Sequence, residues 1–207
     1  MRLELLYFAN PMCSWCWGFA PVVQALTARH RQWRTTIATG RLGEIERPMR
    51  PKDKAAVRDH WTHVREATGQ SFDGAFAQPL FEGEDFVYDT RPACRALAVL
   101  RQHYPALTLT FLHRLHERFY ALGHDLRDPE VLGAAAGEFG LGGDTFRRAL
   151  DHPDTARAVE KEWTQTAALG VTGYPTLLAL TDGKAHVLSI GCRPLDDVEA
   201  ALTAIRT

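Results

Sequence analysis

The stretch "YFANPMCSWCWGFAP", residues 7–21, places Cys13 and Cys16 two residues apart. An apolar segment precedes the pair, and a helical pattern that continues to residue 32 follows it. Two cysteines at this spacing have three chemical interpretations: ligands of a metal ion, a structural disulfide, or a reversible redox couple. Other parts of the sequence help to decide among these three interpretations.

The cysteine pair lies within a predicted β-α-β unit. Residues 2–8, "RLELLYF", are a short apolar run typical of a buried strand, and residues 34–40, "RTTIATG", are rich in β-branched side chains, which favours a second strand. The pattern from Cys13 to Gln32 favours a helix between them, with a core face that comprises Trp17, Val22, Val23 and Leu26. This order implies a right-handed crossover and a parallel pair of strands.

The middle of the chain favours helices almost throughout. In one predicted helix Val57, Trp61 and Val64 recur at helical spacing and the pattern stops at Gly69. A second predicted helix stops at Gly123, and its apolar face comprises Leu112, Leu115, Phe119 and Leu122.

Strand patterns return near the C-terminal end of the sequence. Residues 176–180 and 186–191 flank Asp182-Gly183, a strong signal for a hairpin turn, and an amphipathic helix begins at Pro194. The predicted order is therefore β-α-β, a long helical insertion, an antiparallel hairpin and a final helix.

Composition limits the classes of function. The 207 residues carry a formal net charge of −1 and are 45% hydrophobic, so no basic surface for nucleic acid is evident. No apolar run approaches the roughly 20 residues that span a bilayer, and no membrane partner is expected. The first residues lack the features of a secretory signal, which predicts a cytoplasmic protein in a reducing compartment.

A metal site is the weaker interpretation of the two cysteines. A closed structural zinc site needs four ligands, whereas Cys94 and Cys192 stand alone in the sequence. The histidine pairs His60/His63 and His113/His116 fit no known metalloprotease pattern and are interpreted as surface or packing residues. No metal and no cofactor are therefore predicted.

The redox interpretation explains the spacing better. A thiol at the start of a helix lies near the positive end of the helix dipole and near unpaired backbone N–H groups, which favours the thiolate. Cys16 would lie one turn further in, more buried and within reach of Cys13. One cysteine can then attack a disulfide and the other can resolve the product.

A second signal lies in "GVTGYPTLLAL", residues 170–180. Pro175 precedes a predicted strand, where it is compatible either with a cis peptide bond or with a trans proline that ends a loop. Base rates favour trans, because about 5–6% of X–Pro bonds in folded proteins are cis. Its combination with the cysteine pair favours cis.

The segments "NPMCSWCWGF", "DFVYDTRPACRA" and "GVTGYPTLL" together resemble the DsbA-like branch of the thioredoxin superfamily, within it the FrnE-like subgroup. The resemblance covers essentially the whole chain. It implies an α/β fold in which a thioredoxin-like domain, residues 1–45 and 170–207, is interrupted by a helical insertion domain, residues 46–169, that covers the active-site face.

The resemblance also implies thiol–disulfide oxidoreductase or isomerase activity. By position, Cys13 resembles the attacking cysteine, Cys16 the resolving cysteine and Pro175 the cis-proline that faces them. Candidate substrate contacts are Trp15, which is expected to be exposed, and Gly173-Tyr174 before the proline. The expected partners are proteins or small molecules that carry disulfides or thiols, glutathione among them.

Two positions depart from the pattern of relatives. Asn10 stands where an aspartate is common, and Tyr7 stands where many thioredoxin-like proteins have a buried acid. The proton acceptor for Cys16 is therefore not identified by the sequence. Cys94 and Cys192 are interpreted as packing residues rather than as a second disulfide.

Two further functions compete with the redox assignment. One is a glutathione-dependent isomerase of the kappa-transferase and hydroxychromene-carboxylate type, whose members generally have a serine where Cys13 stands. The other is a redox-inert metal-binding or partner-binding module. A thiol titration with and without a chelator and a product assay with glutathione distinguish the three.

Overall fold

The computed structural model describes residues 3–43, 47–77, 81 and 83–206. These residues form four strands in one sheet of order β2-β1-β3-β4, with bounds β1 (Leu3–Ala9), β2 (Arg34–Thr39), β3 (Thr176–Thr181) and β4 (Lys184–Ile190). The start of the first predicted strand at Arg2 and the proposed domain boundary at residues 45 and 46 lie outside the described residues.

Strand β1 lies at the centre of the sheet. Leu6 aligns with Thr36 of β2 in a parallel pair and with Leu178 of β3 in an antiparallel pair. Strands β3 and β4 form an antiparallel hairpin whose turn residues, Asp182 and Gly183, have positive φ angles of 50° and 75°. The predicted parallel pair and hairpin are confirmed, although β4 begins earlier than the predicted His186.

The helices lie almost entirely between β2 and β3 in sequence. Their bounds are α1 (Ser14–Arg29), α2 (Pro51–Thr68), α3 (Asp73–Ala77), α4 (Arg91–His103), α5 (Thr108–His116), α6 (Pro129–Gly137), α7 (Gly143–Asp151), α8 (Pro153–Ala168) and α9 (Leu195–Arg206). The sequence analysis did not identify α7, because its first residue follows a run of glycines that favours a turn. No helix in the described part of the chain is long and apolar enough to cross a membrane.

Helix α1 carries the cysteine motif and ends before the predicted Gln32. His30 terminates the helix with a non-helical backbone, and its ring stacks on Trp33 at 4.1 Å between ring centroids. Val23 and Leu26 are fully buried, as predicted, whereas Trp17 and Val22 are only partly buried.

The helical segment, which is the part of the chain between β2 and β3, packs directly on the strands. One continuous buried apolar cluster includes Leu5 and Ile37 of the sheet, Phe19 of α1, Trp61 of α2 and Phe111 of α5. The prediction for α2 is confirmed for Trp61 and Val64, which are buried, whereas Val57 is only partly buried. The helices between β2 and β3 therefore share one core with the sheet and α1.

After α5 the chain continues as a π-helical turn, which changes the side chains that face the core from those predicted. Residues Glu117–Ala121 form a π-helical turn, in which the N–H of Leu122 donates to the carbonyl of Glu117 at 3.0 Å. The extra residue in this turn rotates Leu122 to the surface, where it is 53% exposed, and Tyr120 is buried instead. The prediction that Leu122 lies on the apolar face is therefore wrong.

Candidate active site

Cys13 is the N-cap of α1. Its backbone N–H donates to the carbonyl of Asn10 at 3.0 Å, which closes the turn between β1 and the helix. Its Sγ accepts a hydrogen bond from the backbone N–H of Cys16 at 3.2 Å. The sulfur therefore occupies the place of a capping oxygen and satisfies one of the unpaired N–H groups of the first turn.

Cys16 lies one turn inside α1 and is fully buried. Burial raises the pKa of the Cys16 thiol well above its ordinary value, and the neighbouring Cys13 raises it further. Cys13 is also largely buried, at 6% exposed, but it lines an open pocket. The two sulfurs therefore differ in access, with Cys13 as the one that a substrate can reach.

The segment that contains Pro175 lies against Cys13. The Tyr174–Pro175 bond is cis, which confirms that prediction. The Cys13 thiol faces the carbonyl of Tyr174 at 3.7 Å, and the carbonyl of Pro175 accepts from the N–H of Gly191 at 2.8 Å. Gly173 is partly exposed beside them. The fold thus joins two motifs that are remote in sequence.

The pocket beside Cys13 has a volume of about 270 Å³. Trp15 and Tyr174 both line it, whereas Gly173 is not among its lining residues. Trp15 is half-buried rather than exposed as predicted, because the rings of His60 and His63 pack edge-on against it, with centroids at 6.1 and 5.7 Å. His60 also lines the pocket.

Three side chains from the chain segment between β2 and β3 contact the backbone of the loop that precedes Cys13. Tyr88 and Tyr120 donate to the carbonyl of Met12 at 2.7 and 2.6 Å, and Nε2 of His116 donates to the carbonyl of Asn10 at 3.1 Å. Burial lowers the pKa of His116 to about 3, so the ring is neutral and keeps this tautomer. None of these three contacts was predicted from the sequence, where His116 was interpreted as a surface or packing residue.

The side chain of Asn10 connects three parts of the fold. Its Nδ2 donates to the carbonyl of Gly40 at 3.0 Å and to Oγ1 of Thr90 at 3.1 Å, and Sγ of Cys94 lies 3.4 Å from the same nitrogen. Its Oδ1 accepts from the N–H of Met12 at 2.9 Å. This fully buried amide therefore fixes the loop before Cys13 to β2 and to the start of α4.

Tyr7 occupies the β1 position where many relatives have an acid. Its hydroxyl is fully buried and has no hydrogen-bond partner among the described residues. Burial raises the pKa of Tyr7 well above 10, and the nearby Cys16 raises it further. The hydroxyl therefore stays protonated and does not act as a base at neutral pH.

The contrast between Tyr7 and Tyr120 gives a prediction about stability. Tyr7→Phe removes an unpaired buried hydroxyl and should stabilise the fold by up to about 1 kcal/mol, whereas Tyr120→Phe removes the donor to Met12 and should destabilise it by about 1 kcal/mol. Urea unfolding of both variants and the wild type measures the two changes. Equal destabilisation by both would show that the Tyr7 hydroxyl also has a partner.

Gly40 allows Tyr174 to lie close to β2. A Cβ atom at Gly40 would meet the hydroxyl oxygen of Tyr174 at 1.6 Å and ring carbon Cζ at 2.2 Å. Gly40 is buried and its carbonyl accepts the bond from Asn10. The absence of a side chain at this residue therefore sets the position of one wall of the pocket.

We expect Gly40→Ala to displace Tyr174 and slow the reaction of Cys13 with a disulfide probe by roughly tenfold or more, since small displacements at a reacting centre are costly. Stopped-flow absorbance of the reduced protein measures the rate. Gly137→Ala is the control, because an added Cβ there meets nothing within 4 Å. An unchanged rate in Gly40→Ala would contradict a role for the Tyr174 wall.

The other two cysteines are separate thiols. Cys94 is fully buried in a small cluster with Ala98, Val159 and Trp163, and Cys192 donates from its Sγ to the carbonyl of Trp15 at 3.1 Å. Burial raises the pKa of Cys192 to about 12, with Cys13 as a second cause. Both observations agree with the interpretation that these residues pack rather than form a disulfide.

The histidine pairs do not form a metal site. Within the described ranges, no group of three or more His, Cys, Asp or Glu side chains is arranged to hold a metal ion. His113 and His116 are buried in the helical segment, and His60 and His63 pack on Trp15. The interpretation of all four as packing or surface residues is consistent with these positions.

A Cys-x-x-Cys pair at the start of a helix, beside a cis-proline that precedes a neighbouring strand of a mixed sheet, defines the thioredoxin-like class of proteins. Sequence comparison specifies the family. Residues 4–203 match the family model described as DSBA-like thioredoxin domain, and the chain belongs to this family. The predicted α/β fold and the DsbA-like resemblance are confirmed, whereas the FrnE-like subgroup stays a prediction.

Solved structures agree with this assignment. A protein from Nitrosomonas europaea, described provisionally as a protein disulfide isomerase, superposes with a TM-score of 0.88 at 27% identity over 99% of this chain and 97% of that one. The cytosolic disulfide reductase DsbM from Pseudomonas aeruginosa has a TM-score of 0.81 at 23% identity, with 98% of each chain covered, and shows the fold alone.

Among curated sequences, the ClpXP adapter protein SpxH of Bacillus subtilis (strain 168) is 23% identical over 177 residues. The match covers 84% of this chain and 57% of SpxH. The chain therefore spans somewhat more than half the length of the curated relatives that it matches.

Proposed function

We propose that this protein is a thiol–disulfide oxidoreductase that works through a mixed disulfide. The Cys13 thiolate attacks one sulfur of a substrate disulfide, forms a Cys13–substrate bond and releases the first substrate thiolate. Cys16 then loses its proton, which passes directly or through solvent to the released thiolate, and its sulfur attacks the sulfur of Cys13, forms the Cys13–Cys16 disulfide and releases the second substrate thiolate. The substrate gains two electrons and the protein loses two; the reverse sequence oxidises a dithiol.

The observation that carries this proposal is the asymmetric environment of the two sulfurs. Cys13 accepts the N–H of Cys16 at 3.2 Å and borders the pocket, whereas Cys16 is fully buried behind it. The hydrogen bond from the Cys16 N–H holds this accessible sulfur at the first turn of α1. Burial raises the pKa of Cys16. The Cys16 thiol therefore stays protonated until the mixed disulfide on Cys13 has formed.

The proposed partners are proteins or small molecules that bear disulfides or thiols. Glutathione belongs to the candidates because DsbM has been solved with GSH, although that structure shares 22% identity and supports the fold alone. The description of DsbM as cytosolic supports the proposal that the present protein is cytoplasmic. The two-domain division at residues 46–169 is likewise a proposal, supported by the position of the helices between β2 and β3.

Equilibration with glutathione buffers of graded redox potential tests the proposed function. The protein is quenched with acid and alkylated, and the fraction of Cys13–Cys16 disulfide is measured by mass spectrometry. We expect a reversible two-electron transition confined to this pair. A pair that stays reduced or oxidised across the whole range, or a transition that involves Cys94 or Cys192, would contradict the proposal.

A further inference from the structure

The pocket beside Cys13 has an apolar wall. Trp15, Leu42, Val57, Tyr88 and Tyr174 contribute most of it, and no Asp, Glu, Lys or Arg is among the described residues that line it. A volume of about 270 Å³ is at the lower limit of small-molecule pockets, which run from about 300 Å³ upwards. The space suits one compact ring or branched aliphatic group beside the reacting sulfur.

Three cationic side chains lie close in sequence to residues that line the pocket. The contacts described for them are with residues outside the pocket lining. Arg41 pairs with Glu160 at 2.8 Å and lies over the ring of Trp163. The Nζ of Lys54 donates to the carbonyl of Gly83 at 2.7 Å. The guanidinium of Arg58 lies over the ring of Phe81, at 5.6 Å from its centroid. None of these three lines the pocket.

His60 is the group at the pocket mouth that could supply a positive charge. Burial lowers its pKa from 6.5, and the neighbouring His63 lowers it further, so the imidazole is neutral at pH 7.5. The hydroxyls of Tyr88 and Tyr174 are also neutral there, since burial raises the pKa of both. Apart from Cys13 itself, the described wall therefore carries no charge at this pH.

We propose that the pocket favours disulfides and thiols that carry an uncharged apolar group, aromatic or aliphatic, beside the sulfur over anionic ones, so that glutathione disulfide, although a candidate partner, reacts more slowly than a neutral apolar disulfide. The inference rests on the proposed function of Cys13. An apolar group gains free energy when it leaves water for this wall. A carboxylate drawn to the same place loses hydration, and the described lining residues offer no permanent cation to replace it.

The test compares two probe disulfides that share the dithiodipyridine framework and differ by one carboxylate on each ring. Dithiodipyridine is neutral at pH 7.5, and dithiodinicotinate carries a carboxylate on each of the same rings. Both release an absorbing thione when a thiol attacks. The rate constants with the reduced protein are divided by those with free 2-mercaptoethanol, an uncharged thiol, which corrects for the difference in intrinsic reactivity.

We expect the normalised neutral-to-anionic ratio to be about tenfold, equivalent to about 1.4 kcal/mol. His60→Lys places a permanent cation at the pocket mouth and should reduce this ratio several-fold. His103→Lys makes the same charge change at an exposed position outside the pocket lining and should leave the ratio unchanged.

The possible outcomes distinguish a failure of the proposed selectivity from a failure of the proposed function. A ratio near one, or a ratio that favours the anionic probe, overturns the proposed selectivity while the redox function stands. Equal effects of the two lysine substitutions overturn the assignment to this pocket. No reaction with either probe, or equal reaction in Cys13→Ser, overturns the proposed function, and the selectivity falls with it.

Discussion

Cys13→Ser is expected to reduce the turnover of a disulfide substrate to the rate measured without protein. Serine can fill the same capping position, because its oxygen can also accept the N–H of Cys16. It cannot form the mixed disulfide, since the attacking species is a thiolate. The loss would therefore arise from the missing sulfur rather than from the fold. Reduction of a disulfide substrate by the protein and a recycling reductant gives the rate.

Cys192→Ser is the matched control for this loss. Its hydroxyl can still donate to the carbonyl of Trp15, as the Cys192 thiol does at 3.1 Å. We expect turnover close to that of the wild type and an unchanged unfolding transition. Comparable losses in Cys13→Ser and Cys192→Ser would mean that the reactive sulfur has been assigned to the wrong part of the site.

Asn10→Asp is expected to have the largest effect on stability, a loss of about 3 kcal/mol at neutral pH. The substitution keeps the shape of the side chain but replaces the Nδ2 donor by an oxygen. The carbonyl of Gly40 and Oγ1 of Thr90 then face a carboxylate in a fully buried place. Urea unfolding measures the loss. Gln102→Glu, an amide-to-carboxylate change at an exposed residue, should alter stability by less than about 0.5 kcal/mol.

The effect of Asn10→Asp should depend on pH. Burial beside a carbonyl raises the pKa of the new carboxyl above its ordinary value of about 3.9. The unfolded state then loses its proton at lower pH than the folded state, so stability falls as the pH rises from about 3.9 through the folded pKa. The difference from the wild type should be larger at pH 8 than at pH 5. A difference that is absent, or equal at both values, would contradict the role assigned to Asn10.

Local signals in the sequence were sufficient for the elements that carry the site. The spacing of Cys13 and Cys16 at a helix start, and Pro175 before a strand, are short-range patterns with direct physical meaning. The turn at Asp182-Gly183 likewise depends on two adjacent residues, because it requires positive φ angles. The adjacency of Cys13 and Tyr174 followed from the family resemblance rather than from any one pattern.

Long-range contacts could not be predicted in the same way. Tyr120 reaches Met12 only because the π turn changes the phase of the helix, and no sequence pattern indicated that turn. The contacts of His116 and Asn10 join residues that are 106 and 30 positions away in the chain. His60 was interpreted as surface or packing, and it is indeed exposed, but only the tertiary structure shows that it also lines the pocket.

The division of roles between the two sulfurs is tested most directly by locating the trapped intermediate. Cys16→Ser is incubated with a disulfide substrate, quenched with acid, digested and analysed by peptide mass spectrometry. We predict that the mixed disulfide accumulates and is found on Cys13, because attack proceeds while resolution does not. An adduct mainly on Cys94 or Cys192, or equal trapping at residue 16 in the reciprocal Cys13→Ser variant, would contradict the account.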